Sequence, residues 1–264
     1  MHMMNLNGIA LHVADTGEPD LPVMVFSNSL GTDFRSWDRV VERLSGTFRL
    51  IRYDKRGHGL SAAPAAPYTM DDHVGDLEAL LDGLGVKDAI LVGLSVGGLI
   101  AQGIASRRPD LVKALVLCDT AARIGNTETW ASRIKAIEDS GIRSIQESIL
   151  ERWFSENFRK EREVELAGWR AMLTRTPEQG YLGTAAALRD TDYTEATRNL
   201  SLPVLCICGD EDGATPPEVV KATAALISGA RYIEIEGAGH LPCIEAPDAV
   251  VAAITAFIQE NSLV

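Results

Sequence analysis

The stretch Ile90-Leu91-Val92-Gly93-Leu94-Ser95-Val96-Gly97-Gly98-Leu99-Ile100 constrains this chain more than any other. It joins an apolar β-type run, the pattern G-x-S-x-G and a helical run of small residues. A serine at so sharp a strand-to-helix turn sits in strained backbone, and the flanking glycines let neighbouring main chains approach. The turn pushes the serine Oγ out above the sheet, at a helix N-terminus whose unpaired N–H groups favour developing negative charge. Ser95 is therefore the candidate nucleophile. The bare pattern also occurs as a glycine-rich turn without chemistry, and the strand before it and helix after it are what argue for the chemical reading.

A nucleophilic serine needs a base, and the base needs an acid to orient it. The apolar run Val204 to Cys208 reads as a buried strand that opens into Gly209-Asp210-Glu211-Asp212-Gly213-Ala214-Thr215-Pro216-Pro217, a loop rich in carboxylates. The run Arg231 to Ile235 alternates like a strand and ends in Glu236-Gly237-Ala238-Gly239-His240-Leu241-Pro242. His240 is the candidate base and Asp212 its acid, chosen on loop spacing; Asp210 and Glu211 remain alternatives, and a helix cap before Pro216 is the reading without chemistry. His12, His58 and His73 lack such a setting and are expected to be solvated.

Six short apolar runs, Val23 to Phe26, Leu50 to Tyr53, Ala89 to Leu94, Ala114 to Cys118, Val204 to Cys208 and Arg231 to Ile235, alternate with helical patterns, as buried parallel strands require. Val74, Leu77, Leu80, Leu81 and Leu84 share one helical stripe, entered through the capping-box-like Thr69-Met70-Asp71-Asp72. Further helices open with proline, from Pro216 to Ile227 and from Pro247 to Gln259. From about Arg123 to Asp190 the alternation stops. Amphipathic patterns such as Trp130, Ile134 and Ile137, then Ile142, Ile145 and Ile149, predict a helical insert. The expected organisation is a core of residues 1–122 and 191–264 and a helical cap of residues 123–190, placed over the strand carboxyl ends where Ser95 lies.

At 264 residues, 46% of them apolar, the chain can bury one substantial core. No membrane span or secretory leader is visible, so a cytoplasmic location is expected. The four cysteines, Cys118, Cys206, Cys208 and Cys243, read as reduced core or near-core residues, and Cys206-Ile207-Cys208 has the wrong spacing for a zinc or redox pair. No metal is expected. The segment 123–190 holds 11 basic and 11 acidic residues, so the whole net charge of −12 belongs to the remainder. A nucleic-acid partner is not expected, and an anionic substrate would need local cations.

Gly93-Leu94-Ser95-Val96-Gly97-Gly98, the loop Asp54-Lys55-Arg56-Gly57-His58-Gly59-Leu60-Ser61, Gly209 through Pro216 and Gly237 through His240 together resemble the α/β-hydrolase superfamily over essentially the whole chain. Phe26-Ser27-Asn28-Ser29-Leu30-Gly31-Thr32-Asp33, followed by Trp37-Asp38, is similar to the 3-oxoadipate enol-lactonases within it, since most of the superfamily has His-Gly where this chain has Asn28-Ser29. The resemblance implies an α/β fold: a mostly parallel central sheet with helices on both faces and a helical cap. It also implies an oxyanion hole from the backbone amides of Leu30 and Val96, and a loop braced by Asp54 and Arg56.

The activity so implied is hydrolysis of 3-oxoadipate enol-lactone to 3-oxoadipate by a cofactor-free Ser-His-Asp enzyme, in the β-ketoadipate pathway of aromatic degradation. That small-molecule substrate carries a carboxylate. Arg133, three residues after Trp130 on the first insert helix, is the expected partner, with Arg123 as a rival, and Trp130 and Trp153 offer apolar faces. The alternatives are another carboxylesterase, lactonase or carbon–carbon bond hydrolase of this fold, or a ligand-binding receptor that keeps the triad.

Overall fold

Eight strands form: β1 (His2–Leu6), β2 (Ile9–Thr16), β3 (Val23–Ser27), β4 (Arg49–Tyr53), β5 (Ala89–Leu94), β6 (Val112–Cys118), β7 (Val204–Gly209) and β8 (Arg231–Ile235). The computed structural model describes residues 1–264 and joins these strands into one sheet, in the order β1-β2-β4-β3-β5-β6-β7-β8. All pairs from β4 to β8 are parallel. Only β1–β2 and β2–β4 are antiparallel. The central strands β5 and β7 are buried along their whole length, which is why they read as continuous apolar runs.

The six expected strands are present, β6 starting at Val112 rather than Ala114. The β1–β2 hairpin was not expected. Its turn is Asn7-Gly8, both at positive φ (48° and 77°), as a two-residue turn matched to strand twist demands. β1 is an edge strand that is largely exposed, so it carries no apolar run to announce it, and the Asn-Gly pair was its one signal.

The helix Met70–Gly83 opens with the capping box formed by Thr69 and Asp72 and buries Val74, Leu77, Leu80 and Leu81. The helix Val96–Arg107 follows β5 and packs so tightly that a Cβ on Gly97 would lie 2.1 Å from the Ser27 carbonyl oxygen. Any side chain there would push β3 and the helix apart. Between β6 and β7 there is no strand, and six helices run from Thr127 to Arg198.

The turn after β4 is a hub of buried polar contacts. Asp54 accepts from the amides of Phe34 and Leu60, both at 2.9 Å, and meets His12 Nδ1 at 2.7 Å. Arg56 makes a two-pronged contact with Asp76 at 2.7 and 2.6 Å. The expectation of solvated histidines is therefore overturned, because His12, His58 and His73 are all buried in or beside this hub. All four cysteines are free and buried, and no helix is long and apolar enough to cross a membrane.

Candidate active site

Ser95 stands between β5 and the helix Val96–Arg107 with φ 58° and ψ −121°, a region that β-carbon sterics disfavour. The surrounding backbone holds it there. Its N–H donates to Cys118 O at 3.0 Å, and its carbonyl accepts from Gly98 N at 2.9 Å and Thr120 Oγ1 at 2.6 Å.

His240 Nδ1 lies 2.9 Å from Asp212 Oδ2, with both residues buried. Asp212 also accepts from the amides of Ala214 and Thr215 at 2.7 and 3.0 Å, and from the Thr215 hydroxyl at 2.7 Å. Burial pushes the Asp212 carboxyl up, but His240 and these donors outweigh it and hold the pKa below the ordinary value. An ionised Asp212 keeps the proton on Nδ1 and leaves the Nε2 lone pair free to act as a base. Asp210 and Glu211 are exposed and serve loop structure, capping the amides of Ala238 and Glu156 at 3.3 and 3.0 Å. Of the three carboxylates considered, only Asp212 meets the histidine. Nε2 faces Ser29 Oγ at 3.5 Å, and Ser95 Oγ shares its cavity without a hydrogen bond between them. Such contacts are commonly long before substrate is bound.

Val96 is the first residue of its helix, so its N–H has no intrahelical acceptor. The Leu30 N–H likewise has no backbone acceptor, while the carbonyl beside it, Ser29 O, is occupied by Thr32 Oγ1 at 2.9 Å. A family model described as the alpha/beta hydrolase fold matches residues 22–247. The chain belongs to the α/β-hydrolase family. It is 31% identical to a 3-oxoadipate enol-lactonase 2 of Acinetobacter baylyi, covering 95% of this chain and 94% of that one. Its fold is also that of a crystallised enol-lactonase from Burkholderia xenovorans, with TM-score 0.94 and 36% identity over 98% of this chain and 100% of that one. A thermophilic esterase from Thermogutta terrifontis has TM-score 0.90 at 29% identity, covering 98% of each chain.

In this α/β-hydrolase the insert reaches the serine. A cavity of about 100 Å³ is lined by Ser95, His240, Ser29 and Leu30 on one side and by Trp130, Arg133, Trp153 and Tyr181 on the other. The Trp130 indole donates to Ile124 O at 2.7 Å, and the Arg133 guanidinium lies 4.8 Å from the Trp130 ring centre. Arg123, the rival cation, is exposed and pairs with Asp192 at 3.3 Å outside the cavity. Trp169, also in the insert, borders a separate groove together with Thr32, Asp33 and Phe34.

Among the lining residues that went unforeseen as site residues are Ser29, Tyr181 and Arg152. Arg152 precedes Trp153 on the helix Gln146–Trp153 and had only that neighbour to single it out. The loop bearing His240 is tied to the insert through Glu245, which accepts from Gly239 N at 2.8 Å and from Ser155 Oγ at 2.6 Å.

One cluster behind the triad has a different character. Asp119, Cys208 and Asp212 bring three potential ligand atoms within 4.8 Å of one another, all buried. The Asp212 oxygens are already engaged by His240, Thr215 and two amides. Burial first and then the Asp212 charge push the Asp119 carboxyl well above its ordinary pKa.

Proposed function

We propose that the chain hydrolyses 3-oxoadipate enol-lactone to 3-oxoadipate, with Ser95 as nucleophile, His240 as general base and acid, and Asp212 as the acid that orients and stabilises the imidazolium. Ser95 Oγ attacks the lactone carbonyl as His240 Nε2 takes its proton, and the amides of Leu30 and Val96 hold the oxyanion. Collapse breaks the ring C–O bond. The freed enol oxygen takes the proton from His240 and tautomerises to the ketone, which makes it a good leaving group. His240 then deprotonates a water that attacks the acyl-enzyme, and the proton returns to Ser95 Oγ as the acid is released. The helices of residues 123–190 act as the cap that excludes bulk water from this chemistry.

The observation that carries the substrate class is the pair of arginines in the small cavity. Arg133 and Arg152 both line it, and neither has an ion-pair partner in a chain of net charge −12. Two free guanidinium groups in the cavity of Ser95 suit a small carboxylated ester, and the Acinetobacter baylyi relative is named for such a compound, 3-oxoadipate enol-lactone. Trp130 and Trp153 supply the apolar walls. The test is loss of enol-lactone absorbance under the purified protein and its Ser95→Ala variant. The expected outcome is rapid multiple turnover that falls at least ~10³-fold in the variant. Ser95-dependent hydrolysis of a simple aryl ester without loss of the lactone would keep the triad and discard the substrate. A single turnover that leaves a lasting adduct would favour a receptor instead.

A further inference from the structure

Two side chains from the turn after β4 grip the oxyanion loop from behind, and the hydrolytic steps above leave both unused. Lys55 is only 1% exposed, and its ammonium has no carboxylate within ion-pairing distance. Nζ donates to Ser29 O at 2.5 Å and to Thr32 O at 3.5 Å. Burying an unpaired ammonium is costly, and here burial pushes the lysine down to about 7 against the favourable fields of Asp54 and Asp33. His58, also buried, accepts the Gly31 N–H at Nε2 (3.0 Å) and, being unprotonated there, donates from Nδ1 to Arg56 O at 3.0 Å. Burial, with Lys55 beside it, keeps this ring neutral.

The geometry decides what this grip does. Ser29 C=O and Leu30 N–H belong to one trans peptide plane, so whatever fixes the carbonyl oxygen fixes the direction of the amide. A positively charged donor against that oxygen also polarises the plane and makes its N–H a stronger donor. The next amide, of Gly31, is committed to His58 and does not point into the cavity. Of these two amides, that of Leu30 is left as the free donor. We infer that Lys55 and His58 are positioning residues for the oxyanion hole: Lys55 holds and polarises the Ser29–Leu30 peptide, and His58 takes the Gly31 amide so that this peptide does not flip. This rests on the reading of Leu30 as an oxyanion donor.

The test uses 4-nitrophenyl acetate, whose neutral acyl group needs no arginine. Lys55→Met replaces the buried chain by an apolar one of similar length. His58→Leu removes the acceptor for Gly31, and His58→Gln offers a carbonyl oxygen in its place. The expected result is a kcat lowered about 10- to 100-fold in Lys55→Met and His58→Leu with KM within about 2-fold, since removing one oxyanion donor outright costs 10²–10³. His58→Gln should recover most of the loss. Affinity for phenylboronic acid, which forms a tetrahedral adduct with a reactive serine, should fall in parallel with kcat.

Folded variants with wild-type kcat would overturn the inference, as would losses carried by KM with boronate affinity unchanged. If Lys55→Met fails to fold, the His58 pair decides alone. Wild-type protein without Ser95-dependent ester turnover would instead refute the underlying reading of the site, which separates the two failures.

Discussion

Replacing Ser95 by glycine should make the protein inactive and more stable than replacing it by alanine. Both changes remove the proposed nucleophile, and Ser95 Oγ makes no hydrogen bond that alanine would lose. They differ in backbone. At φ 58° and ψ −121° a residue with a β-carbon stores about 1–3 kcal/mol of strain, which glycine relieves. Against this, glycine loses more chain entropy on folding than alanine, about 0.5–1 kcal/mol. The balance favours glycine by roughly 1 kcal/mol. The unfolding entropy of about 2.1 cal/mol/K per residue, taken over 264 residues, makes that a rise in Tm of about 2 °C. The measurement is scanning calorimetry of Ser95→Gly beside Ser95→Ala at one pH, with ester turnover confirmed absent in both. A Ser95→Gly protein melting at or below Ser95→Ala would refute the reasoning, because the three hydrogen bonds around the elbow would then be holding a conformation that costs nothing.

Two further outcomes follow from the charges around the site. Arg133→Leu should raise KM for the carboxylated lactone about 10- to 100-fold, the loss of one charge-assisted hydrogen bond of ~1.5–3 kcal/mol, while kcat/KM for neutral 4-nitrophenyl acetate stays within about 3-fold; equal losses on both substrates would place the arginine in packing rather than in carboxylate binding. Asp119→Asn should raise the melting temperature at pH 7, and the gain should vanish at pH below about 4. Burial and the Asp212 charge raise the Asp119 carboxyl in the folded chain above its unfolded value of about 4, so this group lowers stability as pH rises past that value, whereas asparagine keeps the acceptor for the Gly209 amide and does not titrate. Its Oδ2 has no hydrogen-bond partner to forfeit. A variant less stable than wild type at pH 7 but not at pH 4 would show that Asp119 is ionised and stabilising.

The strand-to-helix turn of the candidate site was legible because strain leaves marks in local sequence. Gly93 and Gly97 flank Ser95 because Cβ atoms there would meet backbone at 2.4 and 2.1 Å, and that requirement is visible in five consecutive residues. Asp212 was findable because it follows a strand whose burial writes an apolar run, and His240 because it follows a half-buried edge strand whose residues alternate. Arg133 could be paired with Trp130 from helical phase alone, and the two do share a face. The β1–β2 hairpin escaped because an exposed edge strand has no apolar obligation, and only Asn7-Gly8 carried its geometry.

Lys55, His58 and Asp119 were missed for a deeper reason. Lysine, histidine and aspartate default to water, so a reading of residue types assigns them to the surface unless a partner is visible nearby. Their partners here are distant in sequence or are main-chain atoms: Lys55 meets a carbonyl 26 residues before it, and Asp119 sits against a loop 90 residues after it. Main-chain acceptors have no sequence signature at all. Burying such a group is costly unless a partner compensates it, and the three missed residues all stand against the Ser29–Gly31 loop or beside Asp212. His12 and His73 are buried against expectation as well, in the hub after β4, so unexpected burial alone does not mark a part in the proposed mechanism, and the kcat of Lys55→Met is the quantity that tells whether Lys55 has one.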